Sequence, residues 1–121
     1  MVNTILLNIG STIISIWGIS HLLATKGVVK GFGNITIDNK RIITMEWIME
    51  GVSFLFISIL VILTTIYNPH NSLIYLTSAA GLIIMAIISA FTGARIKFLP
   101  FQLCPFVLST VSILYILGTF L

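Results

Sequence analysis

Residues 47–67 read WIMEGVSFLFISILVILTTIY, a run that contains one carboxylate, Glu50, and no Lys or Arg. A helix needs about 20 predominantly apolar residues to cross the hydrocarbon of a bilayer, and this stretch has that length. In water its many β-branched residues would favour a strand. In lipid, however, a spanning segment has to satisfy its own backbone hydrogen bonds, so we predict a helix here.

Three more apolar runs of similar length flank this stretch, and none of them contains Lys or Arg. The loop of residues 26–46 is longer than the others. Its glycines are expected to break the helix, and the alternation at residues 35–37 indicates a short extended piece. The sequence therefore predicts four transmembrane helices, at about residues 3–25, 47–67, 72–94 and 101–121.

The composition excludes an ordinary soluble domain. The 121 residues are 58% hydrophobic and 7% charged, with a mean hydropathy of +1.17, whereas soluble domains carry about 25% charged residues. A single cysteine, Cys104, excludes an intrachain disulfide. We predict an all-α fold, an integral membrane four-helix bundle in which residues 1–121 form one membrane domain.

Positive charge occurs in only two of the three connecting loops. The loop 68–71 and both tails lack Lys and Arg, and the loops 26–46 and 95–100 hold all six: Lys26, Lys30, Lys40, Arg41, Arg95 and Lys97. By the positive-inside rule, loops 1 and 3 face the cytoplasm and both termini lie outside. We therefore expect a multi-pass protein of the cell membrane whose basic residues meet the lipid bilayer, with no nucleic-acid partner.

Small and polar residues are expected on the inner helix faces, since they allow close approach and bonds between helices in lipid. They recur at helical spacing in all four predicted spans. Ala86, Ala90 and Ala94 form a second small-residue face, which fits either internal packing or a contact with a homodimer or another membrane protein. The inner-face residues of the first helix are Thr4, Asn8, Ser11, Ser15, Gly18 and His21, and those of the second are Glu46, Glu50 and Ser53. Those of the third helix are Ser78, Gly81, Met85, Ser89 and Thr92, and those of the fourth are Pro105, Ser109, Ser112 and Thr119.

The candidate ligand-binding residues are His21, Glu46, Trp47 and Glu50, with Gln102 and Cys104 nearby. His21 and Glu50 fall at similar depth on antiparallel neighbouring helices, so their side chains can meet. An ionised carboxylate is costly at that depth, so Glu50 should either be protonated or be paired with His21, Arg95 or Lys97, and we expect pairing. The alternative is a purely structural contact between His21 and Glu50 that fixes the helix register.

This site predicts a protein that binds or transports a small amphipathic or ionic ligand from the cytoplasmic side. One alternative is a structural or accessory subunit that acts through the alanine face. A membrane enzyme would need a further reactive group, and the sequence offers none beside His21 and Glu50. The spacing of the acidic residues with His21 and Cys104 matches no metal motif, so we predict no metal site, and the sequence identifies no cofactor.

The four spans, the small size and Glu50-Gly51 near the start of the second apolar run resemble the DoxX-like small membrane proteins. Asn68-Pro69-His70 stands where that family is expected to carry a basic motif. The resemblance implies a quinone-linked membrane oxidoreductase component, as a subunit or an accessory. It carries over no catalytic residue.

Overall fold

The computed structural model describes residues 2–121, which form helices, turns and loops and contain no strand. The helices are α1 (Thr4–Leu23), α2 (Thr25–Lys30), α3 (Ile37–Tyr67), α4 (Ser72–Phe91) and α5 (Leu99–Phe120), and a 3₁₀ turn at Gly93–Arg95 follows α4. Four of these helices, α1, α3, α4 and α5, are long and apolar enough to cross a membrane. The predicted all-α class with four long apolar helices is therefore confirmed.

The second predicted helix differs most from the structure, because α3 begins at Ile37 rather than at residue 47. Thr36 caps it, since the Asn39 amide donates to Thr36 Oγ1 at 3.2 Å. Asp38 lies in the first turn, where the helix dipole favours a negative charge. Hydropathy detected only the apolar part of a helix whose first turns are polar.

The first loop is also more helical than predicted. Gly27 lies inside α2 instead of breaking it, and residues 35–37 do not form the expected extended piece, since Ile37 already belongs to α3 and no strand precedes it. Gly33 has a φ of 70°, which glycine adopts without strain, and it reverses the chain between the two helices.

The helices pack in the order α3, α1, α5, α4. α1 packs mainly against α3 and α5, and α4 packs mainly against α5, whereas α3 and α4 contact each other over a short stretch only. A short turn at residues 68–71 joins α3 to α4 at one end of the bundle. The two helices therefore leave a gap between them, and the candidate site lies at its other end.

Close approach of α1 and α3 depends on two glycines. A Cβ on Gly18 would stand 3.2 Å from the Gly51 carbonyl oxygen, and a Cβ on Gly51 would stand 2.7 Å from Leu22 Cδ2. Small residues let helix backbones meet in lipid, where packing rather than the hydrophobic effect drives association. This crossing brings the end of α1 that carries His21 against α3.

Hydroxyl groups link three of the four long helices inside the bundle. Ser58 Oγ donates to the Ser11 carbonyl at 2.9 Å, and Ser11 Oγ and the Tyr115 hydroxyl bond at 3.0 Å. Ser15 and Ser58 also share a hydrogen bond between their hydroxyls. The polar face predicted for the first helix thus connects α1 to α3 and α5.

The other predicted inner faces are only partly buried. Ser78, Ser112 and Thr119 are buried, whereas Glu46, Ser53, Ser109 and Thr92 are exposed. On the alanine face, Ala86 is buried within the bundle, Ala94 is half-buried and Ala90 is exposed. Those three alanines do not form one outward surface, because the packing of α4 on α5 turns Ala86 inward.

Candidate functional site

A cavity of about 590 Å³ lies between the long helices at the end of the bundle opposite the turn at residues 68–71. Pockets for small ligands commonly measure about 300 to 1,000 Å³. Its wall is largely apolar and includes Met85, Ile88 and Phe101, while Val28 of α2 borders it on the loop side. Five residues that carry polar groups also line it: Trp17, His21, Glu50, Ser89 and Cys104.

His21 and Trp47 fix each other on this wall. Their rings stack with centroids 3.7 Å apart and an interplanar angle of 12°. His21 Nε2 lies 3.0 Å from the Trp47 carbonyl oxygen, and Trp47 Nε1 donates to the His21 carbonyl at 2.8 Å. A carbonyl oxygen only accepts, so His21 Nε2 carries a proton and donates it there.

The local sequence explains why these two residues meet. Trp47 precedes Gly51 by one helical turn, and the missing side chain at Gly51 leaves room for Leu22 and for His21, whose Cδ2 lies 3.2 Å from the Cβ position of Gly51. Phe54, one turn further along α3, meets the His21 ring edge-on at 5.7 Å. α3 thus stacks the Trp47 ring on the face of the His21 ring and holds the Phe54 ring perpendicular to it.

Glu50 projects beside this pair with few partners of its own. Its Oε2 lies 3.6 Å from His21 Nε2, and the side chain is 42% exposed against 9% for His21. That distance exceeds a hydrogen bond, and the His21 proton is already donated to Trp47. Of the three predicted partners of Glu50, only His21 comes close to it, without a hydrogen bond, and within residues 2–121 Arg95 and Lys97 form no ion pair with it.

Trp17 contributes a buried donor that the sequence analysis missed. Its Nε1 is shielded from solvent and forms no hydrogen bond of normal geometry among the described residues, and it lies near the Cys104 thiol, a weak acceptor. The Trp17 side chain borders the same cavity. A buried donor without a full partner costs about 1–3 kcal/mol. Its position one helical turn before His21 on α1 is the sequence signal that could have identified it.

Two of the residues predicted near the site lie elsewhere. Glu46 is exposed and borders an open groove next to the cavity, which Trp47 and Glu50 also line, but it does not line the cavity itself. Gln102 is exposed on α5 and lines neither space. Of the two glutamates of α3, Glu50 therefore borders both the cavity and the groove, and Glu46 borders the groove alone.

In the described part of the chain, no three His, Cys, Asp or Glu side chains come close enough together to hold a metal ion. Comparison with protein family models, with curated proteins and with solved structures finds no match to this chain. The resemblance to DoxX-like proteins therefore stays a prediction, and the site has to be interpreted from its own geometry.

Proposed function

We propose that the chain crosses the cell membrane four times, with the cavity end of the bundle in the cytoplasm and both termini outside. Every Lys and Arg belongs to the loops, to α2 or to the first turns of α3, which together form the cavity end. The turn at residues 68–71 and both tails carry none. The positive-inside rule supports this orientation.

Labelling of single cysteines tests the orientation. Lys40→Cys is expected to react with a membrane-impermeant maleimide only after the membrane is opened, and Asn71→Cys is expected to react in intact cells. Cys104 is buried and serves as the background to subtract. Reaction of both new cysteines from the same side would contradict the four-span topology.

We also propose that the chain binds a small amphipathic ligand in the cavity. The observation that carries this proposal is an apolar space bordered by Glu50, whose carboxylate forms no hydrogen bond among the described residues. An apolar cavity with a few convergent polar groups is the usual form of a ligand site. A ligand with an apolar body and a polar head would satisfy both the wall and the Glu50 carboxylate.

The gap between α3 and α4 supports an amphipathic ligand in particular. The cavity has wall residues from both helices, including Glu50 of α3 and Ile88 of α4, and the adjoining groove extends along α3 past Met49 and Ser53. Both of those side chains are exposed, so in a membrane they would face lipid. A molecule that partitions into the bilayer can therefore enter from the side, between the two helices.

A matched pair of substitutions on α4 tests binding. Ser89 lines the cavity and Ala90, the next residue, is exposed on the outside of the bundle. Ser89→Leu is expected to fill part of the cavity and to remove a retained ligand from the native mass spectrum, whereas Ala90→Leu is expected to leave it bound. Retention of the same ligand by Ser89→Leu would contradict binding in this cavity.

The same spectra report stoichiometry. If Ala90→Leu dissociated a complex while Ser89→Leu and changes at Glu50 had no effect, the accessory-subunit alternative would replace this proposal.

A further inference from the structure

The charged residues are distributed unevenly around the site. The whole chain has a formal charge of +3, but no Lys or Arg lines either the cavity or the adjoining groove. Glu50 borders both spaces and Glu46 borders the groove. The path from the groove into the cavity is therefore lined by carboxylates without a lysine or arginine to balance them.

His21 does not hydrogen-bond the Glu50 carboxylate. Its Nε2 proton is donated to the Trp47 carbonyl, and the distance of 3.6 Å to Glu50 Oε2 is too long for a second hydrogen bond. Within the residues that the structure describes, no Lys or Arg forms an ion pair with Glu50. A carboxylate without a hydrogen bond at the edge of an apolar region is unfavourable, so a positive charge placed there would be strongly stabilised.

Aromatic rings beside Glu50 favour an organic cation over a small metal ion. Trp17, Trp47, Phe98 and Phe101 line the cavity, and Phe101 meets Trp47 edge-on at 5.6 Å. Ring faces attract cations, most strongly where water is excluded. A cation with an apolar body gains both from these rings and from the apolar wall, whereas an anion would face Glu50 with no counter-charge.

We infer that the ligand is a lipophilic organic cation whose charge lies against Glu50 and whose body packs among the cavity's aromatic side chains. This inference rests on the proposed ligand-binding function and adds the chemical class of the ligand. Glu50 is the charge-recognition residue, and Glu46 contributes little because it lies outside the cavity on the exposed side of α3.

Two nearly isosteric ions of opposite charge test the inference. The purified protein in phosphatidylcholine nanodiscs is titrated with tetraphenylphosphonium and with tetraphenylborate, and the partitioning of each ion into empty nanodiscs is subtracted. The wild type is expected to bind the cation about tenfold or more tightly than the anion. Glu50→Gln is expected to weaken cation binding by about tenfold or more and to remove the preference, since it keeps the shape and loses the charge. Asp38→Asn is the matched control, because it removes a carboxylate of the same helix that lines neither space, and it is expected to change the cation affinity by no more than about twofold.

Equal binding of the two ions, or full cation affinity in Glu50→Gln, would overturn the inference. Failure of the proposed function would give a different set of results. If neither ion bound but the native mass spectrum showed a retained neutral ligand that Ser89→Leu removed, the cation inference would be wrong and ligand binding would stand. If no ligand were retained and no probe bound, both would be wrong.

Discussion

Gly18→Leu is expected to open the bundle while leaving its helices inserted in the membrane. A Cβ at Gly18 stands 3.2 Å from the Gly51 carbonyl oxygen, from Phe54 Cβ and from Leu55 Cγ. The first of these is backbone and the second is fixed to it, so neither can move unless α3 moves away from α1. Overpacking typically costs about 1–3 kcal/mol, and a full leucine side chain at a helix crossing should cost about 3 kcal/mol or more.

The measurement is the midpoint of unfolding as sodium dodecyl sulfate replaces a mild detergent, followed by tryptophan fluorescence. Gly81→Leu on α4 is the matched control, because a Cβ at Gly81 would meet nothing within 4 Å beyond its chain neighbours and the backbone of its own helix. Gly18→Leu should shift the midpoint strongly, and Gly81→Leu should shift it little. Equal midpoints for both variants would show that the crossing of α1 and α3 does not stabilise the bundle.

The four helices could be predicted because lipid leaves a spanning segment almost no alternative to a helix. The start of α3 could not be predicted from hydropathy, because the polar turns around Lys40 lie outside the apolar stretch that hydropathy detects. A better signal was present in Thr36, which caps the helix, with Asp38 in its first turn. Local capping chemistry therefore holds information about helix starts that the hydrophobic pattern lacks.

The candidate site could be predicted only in part. Antiparallel neighbours place His21 and Glu50 at similar depth, and the structure brings them to 3.6 Å. The pattern does not show where the cavity ends along α3, however. Glu46 lies on the same side of α3 as Glu50, but one helical turn earlier, where it is exposed and borders the groove rather than the cavity. The sequence did not identify Trp17, because an indole in a membrane helix usually packs against apolar neighbours. Only the structure shows that its N–H is buried without a hydrogen bond of normal geometry.

His21→Ala is expected to weaken ligand binding without unfolding the bundle. The substitution removes the ring that stacks on Trp47 and the donor that bonds to the Trp47 carbonyl. Each interaction contributes about 1 kcal/mol, so the Trp47 ring loses much of what holds it on the cavity wall. A cavity wall that has lost this preorganisation should bind a ligand up to about thirtyfold more weakly.

His70→Ala is the matched control, because His70 is the only other histidine and is exposed in the turn at the opposite end of the bundle. Binding of tetraphenylphosphonium and the detergent unfolding midpoint are measured on both variants. His21→Phe separates the two contributions of His21, since it keeps a ring against Trp47 and loses the Nε2 donor. We expect its affinity to lie between those of wild type and His21→Ala. If His21→Ala bound as the wild type does, the contact of His21 with Trp47 and Glu50 would serve only to fix helix register, and ligand recognition would have to lie elsewhere in the cavity.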